Sequence, residues 1–231
     1  MRLIRHIATA TLCLGFALPV HAFETSAKAA YVMDVTTGTV LLDKNADTPM
    51  PPASMSKLMT LYVAFEAVRN GRLTLDERLP VSEHAMSYGG STMFLDTTDR
   101  VRVEDLLRGI IVLSGNDACA VIAEALSPDG TEAGFARFMT QRAQQLGMTN
   151  SMFRNASGWP AEGHVMSMRD LALLARHIIE DSPNSIRCFP RPSCGLTGAR
   201  PATSAIATRS WGWGSGRTGS RPGIPNRRAL A

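Results

Sequence analysis

The sequence predicts an α+β fold, and three observations carry that expectation. Two β-rich runs flank a Thr36-Thr37-Gly38 turn near the start, helical runs with recognisable start and stop signals fill the remainder up to about residue 182, and the strands come before the helices rather than alternating with them. In "AAYVMDVTTGTVLLDKNAD", residues 29–47, the turn triplet joins the two runs as a hairpin. "SMSKLMTLYVAFEAVRNG" reads as a helix ending at Gly71. Leu58, Met59, Leu61, Val63, Phe65 and Val68 make it apolar on almost every face, which predicts a central, buried helix. A polar, Gly-containing loop follows through Gly89-Gly90-Ser91. "VEDLLRGIIVL" and "NDACAVIAEAL" are two helical runs broken at Ser114-Gly115, with Glu104 and Asp105 as first-turn acids. "EAGFARFMTQRAQQLG" is a helix stopped by Gly147, and "SMRDLALLARHIIED" starts at an N-cap Ser167 with Asp170 three positions on, close to a capping box.

The two ends differ from this body. Residues 1–22, "MRLIRHIATATLCLGFALPVHA", carry Arg2 and Arg5, an apolar run too short to span a bilayer, and Val20-His21-Ala22, the layout of a secretory signal peptide. The expected destination is the periplasm. From residue 183 to 231 the chain has no period of 2 or 3.6, is rich in Arg, Gly and Pro, and predicts a disordered tail outside the domain of residues 23–182. These ends explain a misleading net charge of +4. Setting aside Arg2, Arg5 and the eight arginines after Ile186 leaves 14 basic against 20 acidic residues, a net of −6. An acidic body removes the ground for a nucleic-acid partner. No later run is long and apolar enough for a transmembrane helix. Of the cysteines at 13, 119, 188 and 194, Cys119 alone lies in the body, so no disulfide framework follows and a small buried apolar role is expected.

The chemistry is concentrated in two short stretches. In "PPASMSKLMT", Ser54 and Lys57 stand three apart, and helical positions i and i+3 share a face. A serine hydroxyl needs an adjacent base to become a nucleophile, and a lysine serves only if burial or nearby positive charge lowers its pKa. An N-cap serine beside a solvated lysine explains the same spacing equally well. In "LSGND", a turn between helices projects Ser114 and Asn116, a hydroxyl that can relay a proton and an amide that can hold a carbonyl or orient Lys57. An ordinary Ser-Gly helix junction is the simpler account of that stretch alone. His84, His164 and His177 lack metal-ligand spacing, and Trp159 in "ASGWP" reads as a packing residue at a turn. Neither a metal nor a cofactor is expected.

S-x-x-K followed by S-x-N is two-thirds of the penicilloyl-serine transferase signature. With these motifs in place the chain resembles the serine D-alanyl-D-alanine carboxypeptidases, the low-molecular-mass penicillin-binding proteins, over residues 24–182. "PPASMSKLMT" is similar to their P-A-S-x-[ST]-K-[LM]-M-T block. The hairpin, "GGSTMFL", "VEDLLRGIIVLSGNDA", "GMTNSMFRNASGWP" and "MSMRDLALLARHII" match as well. The resemblance implies the β-lactamase/transpeptidase-like fold, with Ser54 as acyl-enzyme nucleophile and Lys57 as its base. It also implies Ser114 and Asn116 in the site, a peptidoglycan stem peptide ending in D-Ala-D-Ala as substrate, and β-lactams as inhibitors. Backbone N–H groups, that of Ser54 among them, would form the oxyanion hole. The S-G-N and N-terminal blocks resemble the carboxypeptidase versions more than those of a serine β-lactamase.

The family's third block, K-T-G on a strand of the cleft, is missing. Arg217-Thr218-Gly219 is the nearest triplet; Arg217 can bind a carboxylate, but no strand pattern surrounds it. Shifted to begin at each third base, the codons for residues 217–225 permit Asp-Gly-Leu-Lys-Thr-Gly-His-Thr, the family's own third block. "SWGWG" permits Leu-Gly-Met-Gly in the same frame. The expectation is a reading-frame slip near residue 183, which sequencing the coding DNA decides. The fold would then be incomplete, an N-terminal hairpin plus a helical cluster, lacking the closing strands, the second β-rich domain and the C-terminal membrane anchor. Activity would be impaired, and the alternative function is an inactive remnant or a peptidoglycan-binding module.

Overall fold

The computed structural model describes residues 25–183. The signal-peptide reading of residues 1–22 and the readings of Arg217 and the tail lie outside the described residues.

Strands β1 (Ala30–Met33) and β2 (Val40–Lys44) form the expected antiparallel hairpin, with Ala30 opposite Lys44 and Val32 opposite Leu42. Its turn closes because the Asp34 carboxylate accepts the N–H groups of Thr36 and Thr37, each at 2.8 Å, and Gly38 takes a left-handed φ of 72°. A single 3₁₀ turn, Ala53–Ser56, leads into α1 (Lys57–Arg69). The all-round apolar pattern of α1 has the predicted outcome. Met59, Leu61, Tyr62, Val63, Ala64, Phe65 and Ala67 are buried on every side of it.

Between α1 and the next long helix the structure holds more than the expected loop. β3 (Arg78–Pro80), a one-turn helix α2 (Glu83–Met86) and β4 (Arg100–Arg102) lie there, and β3 pairs antiparallel with β4 as a second two-stranded sheet. The hairpin is therefore not the only sheet among the described residues. Three-residue strands carry too little alternation to be read from sequence, and a proline inside one masks it further.

Helices α3 (Val103–Leu113), α4 (Asn116–Leu126), α5 (Glu132–Gln145) and α6 (Met168–Asp181) complete the chain. α1 packs against α3, α4, α5 and α6, and the core forms where they meet, from Met59, Leu106, Leu107, Ile122, Phe135, Met139 and Leu174. Cys119 of α4 is fully buried within it, as expected. Ser167 caps α6 by accepting the N–H of Asp170. The return half of a capping box is not made. The Asp170 carboxylate instead accepts the Asn150 N–H and the Ser151 hydroxyl, tying the 148–152 segment to the helix start. Backbone bridges Met50–Met166 and Met152–Val165 then draw the segment between α5 and α6 across the 3₁₀ turn.

Candidate active site

The 3₁₀ turn sets the geometry. Ala53, directly before Ser54, has φ of +47°, a left-handed conformation that costs a non-glycine residue about 1–2 kcal/mol. In a 3₁₀ turn side chains at i and i+3 eclipse one another. That places the Lys57 amine beneath Ser54, where Nζ donates to Ser54 Oγ at 3.2 Å and to the Ser157 carbonyl at 2.6 Å. Lys57 is only 4% exposed, so the solvated-lysine alternative fails for this residue. Burial lowers its pKa below the usual ammonium range, because the charged form loses its hydration. The N-cap alternative for Ser54 fails too, since the turn has no side-chain cap and α1 starts after Ser56.

Ser114 arrives from the opposite side. It is the C-cap of α3 in a left-handed conformation, φ 58° and ψ 37°, and its hydroxyl donates to Ser54 Oγ at 3.1 Å. The helix junction is thus both the ordinary structural device and the means of aiming this hydroxyl. Asn116, the first residue of α4, borders the same cavity, but its amide donates to the Gly89 carbonyl at 2.8 Å rather than to Lys57. Its backbone N–H donates to the Ser91 carbonyl at 2.8 Å.

Asp117, which the sequence reading passed over, fixes the loop that carries Gly89 to Leu95. This fully buried carboxylate accepts the N–H groups of Met93, Leu95 and Ala118 at 2.8–3.2 Å. Placed in the first turn of α4, it also meets the positive end of the helix dipole.

A cavity of about 670 Å³ opens over Ser54, lined by Asn116, Ser157, Pro52, Trp159 and Pro160 among others. Trp159 departs from its expected packing role. The residue is 45% exposed and lines the cavity, where its ring makes an edge contact with that of Tyr88, centroids 6.1 Å apart. His164 also reaches the cavity while 3% exposed. Desolvation, with a contribution from nearby Arg154, pulls its pKa down to about 4, so the ring is neutral near pH 7. Nδ1 accepts the Arg154 N–H at 3.3 Å, which leaves the proton on Nε2 to donate to Ser56 Oγ at 3.0 Å. Two further residues had no legible signal, Ser157 because it acts through its carbonyl and Gly158 because its role is a close backbone approach. A Cβ at Gly158 would lie 1.8 Å from the Ala53 carbonyl oxygen.

A hydroxyl that accepts from a buried amine and from a second hydroxyl, facing an open cavity, has the parts of an acyl-serine hydrolase or transferase. The chain belongs to the peptidase S11 family of D-alanyl-D-alanine carboxypeptidases, whose model matches residues 17–206. That match runs past residue 183, into the stretch the sequence reading sets apart. The chain is 38% identical over 154 residues to the D-alanyl-D-alanine carboxypeptidase DacF of Bacillus subtilis, covering 67% of this chain and 39% of the relative. Among solved structures it is similar to the D-alanyl-D-alanine carboxypeptidase DacD from Francisella tularensis. The TM-score is 0.70 at 37% identity, over 73% of this chain and 40% of that one. It is also similar to penicillin-binding protein D2 from Listeria monocytogenes in its ampicillin-bound form. Here the TM-score is 0.63 at 34% identity, over 71% of this chain and 66% of that one. The chain therefore spans about 40% of the length of the first two.

Proposed function

We propose that the chain is a serine D-Ala-D-Ala carboxypeptidase that trims the terminal D-alanine of peptidoglycan stem peptides through an acyl-enzyme on Ser54. The observation that carries this reading is the Lys57 amine, buried and 3.2 Å from Ser54 Oγ, with the Ser114 hydroxyl 3.1 Å from the same atom. Neutral Lys57 takes the Ser54 proton as Oγ bonds to the carbonyl carbon of the penultimate D-alanine. Ser114 lies where it can pass that proton to the departing amine of D-alanine. Water then attacks the acyl carbonyl carbon as Lys57 takes its proton, and the Ser54 ester bond breaks with that proton returned to Oγ, releasing the shortened peptide. Asn116 is assigned to the substrate's amide groups, because it lines the cavity that opens over Ser54. A β-lactam acylates Ser54 by the same attack and inhibits the enzyme. Residues 1–22 serve as the export signal and the periplasm as the working compartment, in keeping with a substrate in the cell wall.

The test is release of D-alanine from a peptide ending in D-Ala-D-Ala, measured for this chain, for its Ser54→Ala variant, and for a chain whose coding frame is restored near residue 183. The reading predicts release that depends on Ser54 and rises on frame restoration. Equal release with and without the Ser54 hydroxyl would contradict it.

A further inference from the structure

Glu132, the first residue of α5, is absent from the constellation above, yet it is only 7% exposed and carries several hydrogen bonds. One oxygen, Oε1, accepts the backbone N–H of Ala156 at 2.8 Å. The other, Oε2, accepts from His84 Nε2 at 2.6 Å and from the Tyr88 hydroxyl at 2.7 Å. Ala156 directly precedes Ser157, whose carbonyl holds the Lys57 amine, and Tyr88 braces Trp159 at the cavity wall. Thr60, one turn along α1 from Lys57, donates to the Ala156 carbonyl at 2.7 Å. The strap from Asn155 to Trp159 is thus fastened to α1 by Thr60 and to α5 by Glu132. Without the second fastening, the Ala156 N–H would be buried with no acceptor, a cost of about 1–3 kcal/mol that moving the strap toward water relieves.

We infer that Glu132 is a positioning residue for the acylation step: its carboxylate pins the Asn155–Trp159 strap over Lys57, so that the Ser157 carbonyl rather than water is the neighbour of the amine. This role rests on the proposed function for its consequence but not for its geometry. The groups facing Lys57 are the Ser54 hydroxyl, the Ser157 carbonyl and Cys119 of α4, and burial keeps the Cys119 thiol protonated. Those facing Glu132 are His84 and Tyr88, with His164 and Cys119 also within its electrostatic reach. Release of the strap hydrates Lys57 and moves its pKa up, toward the ordinary ammonium range. Loss of the Glu132 charge acting through space would move it down. The two effects have opposite signs and can be told apart.

Lys28, Lys44 and Lys57 are the only lysines in the chain, so carbon-13 NMR of labelled lysine follows few resonances, with Lys57 assigned by Lys57→Arg. Glu132→Asp keeps the charge but withdraws it by about 1.5 Å, one carbon–carbon bond. It is expected to raise the Lys57 titration midpoint by about one pH unit, a fraction of the shift full burial can produce. Glu132→Gln keeps an oxygen for the Ala156 N–H and is expected to hold the midpoint within about 0.3 unit, well inside that burial effect. Penicillin acylation should slow about tenfold in Glu132→Asp at neutral pH, in proportion to the lost neutral amine, and recover as pH rises. An unchanged Lys57 midpoint in Glu132→Asp, or a fall in Glu132→Gln, overturns the inference. If the parent chain takes up no penicillin while the midpoint still moves as expected, the proposed function fails and the role of Glu132 stands.

Discussion

Lys57 sits in an environment that penalises its own charge, and the proposed chemistry uses that penalty. Desolvation lowers its pKa, so the neutral amine needed to take the Ser54 proton is populated at a lower pH than in a solvated lysine. Acylation by penicillin should therefore rise with pH, with a midpoint below the ordinary lysine value of about 10.4. Lys57→Arg keeps the positive charge in a group that does not lose its proton at working pH. Acylation in that variant should fall at least about 100-fold, the lower end of what a positioned base contributes, as read by gel fluorescence of a labelled penicillin. His164 yields a separate prediction. Its pKa of about 4 in the fold lies below the ordinary histidine value of about 6.5. The folded state thus refuses a proton that the unfolded state accepts. That contribution to stability is intact above about pH 6.5 and is lost as pH falls toward 4, amounting to no more than about 3 kcal/mol. Urea unfolding at pH 7.5 and pH 4.5 should show a smaller acid loss for His164→Gln than for the parent chain. An equal loss would remove His164 from the acid response.

At the scale of the elements, two segments distant in sequence meet backbone to backbone at the 3₁₀ turn. Gly158 has φ of +79°, and a side chain there would collide with the Ala53 carbonyl. Gly158→Ala should cost about 3 kcal/mol of stability from strain and overpacking together and displace Ser54, lowering penicillin acylation more than tenfold. Gly130→Ala is the control. It has a similar φ of +70° but open space around it, so about 1 kcal/mol of left-handed strain is expected with acylation unchanged. A similar loss of acylation in both variants would mean that the contact with Ala53 does not matter. This contrast also shows what was legible in the sequence. The hairpin, the buried α1, the break at Ser114-Gly115 and the cap at Ser167 have local causes, namely turn chemistry, all-round apolarity and a capping oxygen, and each is written in a few adjacent residues. Motif spacing, which is local too, suggests grouping Ser54, Lys57, Ser114 and Asn116, and the first three meet at Ser54 Oγ. The Ser157 carbonyl, the Asp117 anchor, the exposed Trp159 wall and the Glu132 fastening depend on which segments meet in space, and no short window contains that. The three-residue strands β3 and β4 escaped because their pairing, not their composition, makes them strands.

Across the whole described unit, α1 is wrapped by helices while apolar side chains remain open on the hairpin and near the site. Leu41 is 65% exposed on β2, and Val112 and Phe94 are 72% and 66% exposed at the end of α3 and in the loop beside it. A two-stranded sheet with open apolar groups invites edge pairing between copies. Leu41→Lys combined with Val112→Lys should reduce light scattering of the concentrated protein and leave its melting temperature nearly unchanged, since neither side chain packs in the core. Undiminished scattering would place the sticky surface elsewhere. The claim on which the functional reading turns is that Ser54 is the nucleophile, and one measurement addresses it most directly. After incubation with a penicillin, the digested protein is examined by mass spectrometry, alongside its Ser54→Ala variant. An adduct of one penicilloyl group on the peptide containing Ser54, absent from the variant, is the predicted result. An adduct that survives Ser54→Ala, or that maps to another peptide, would contradict it.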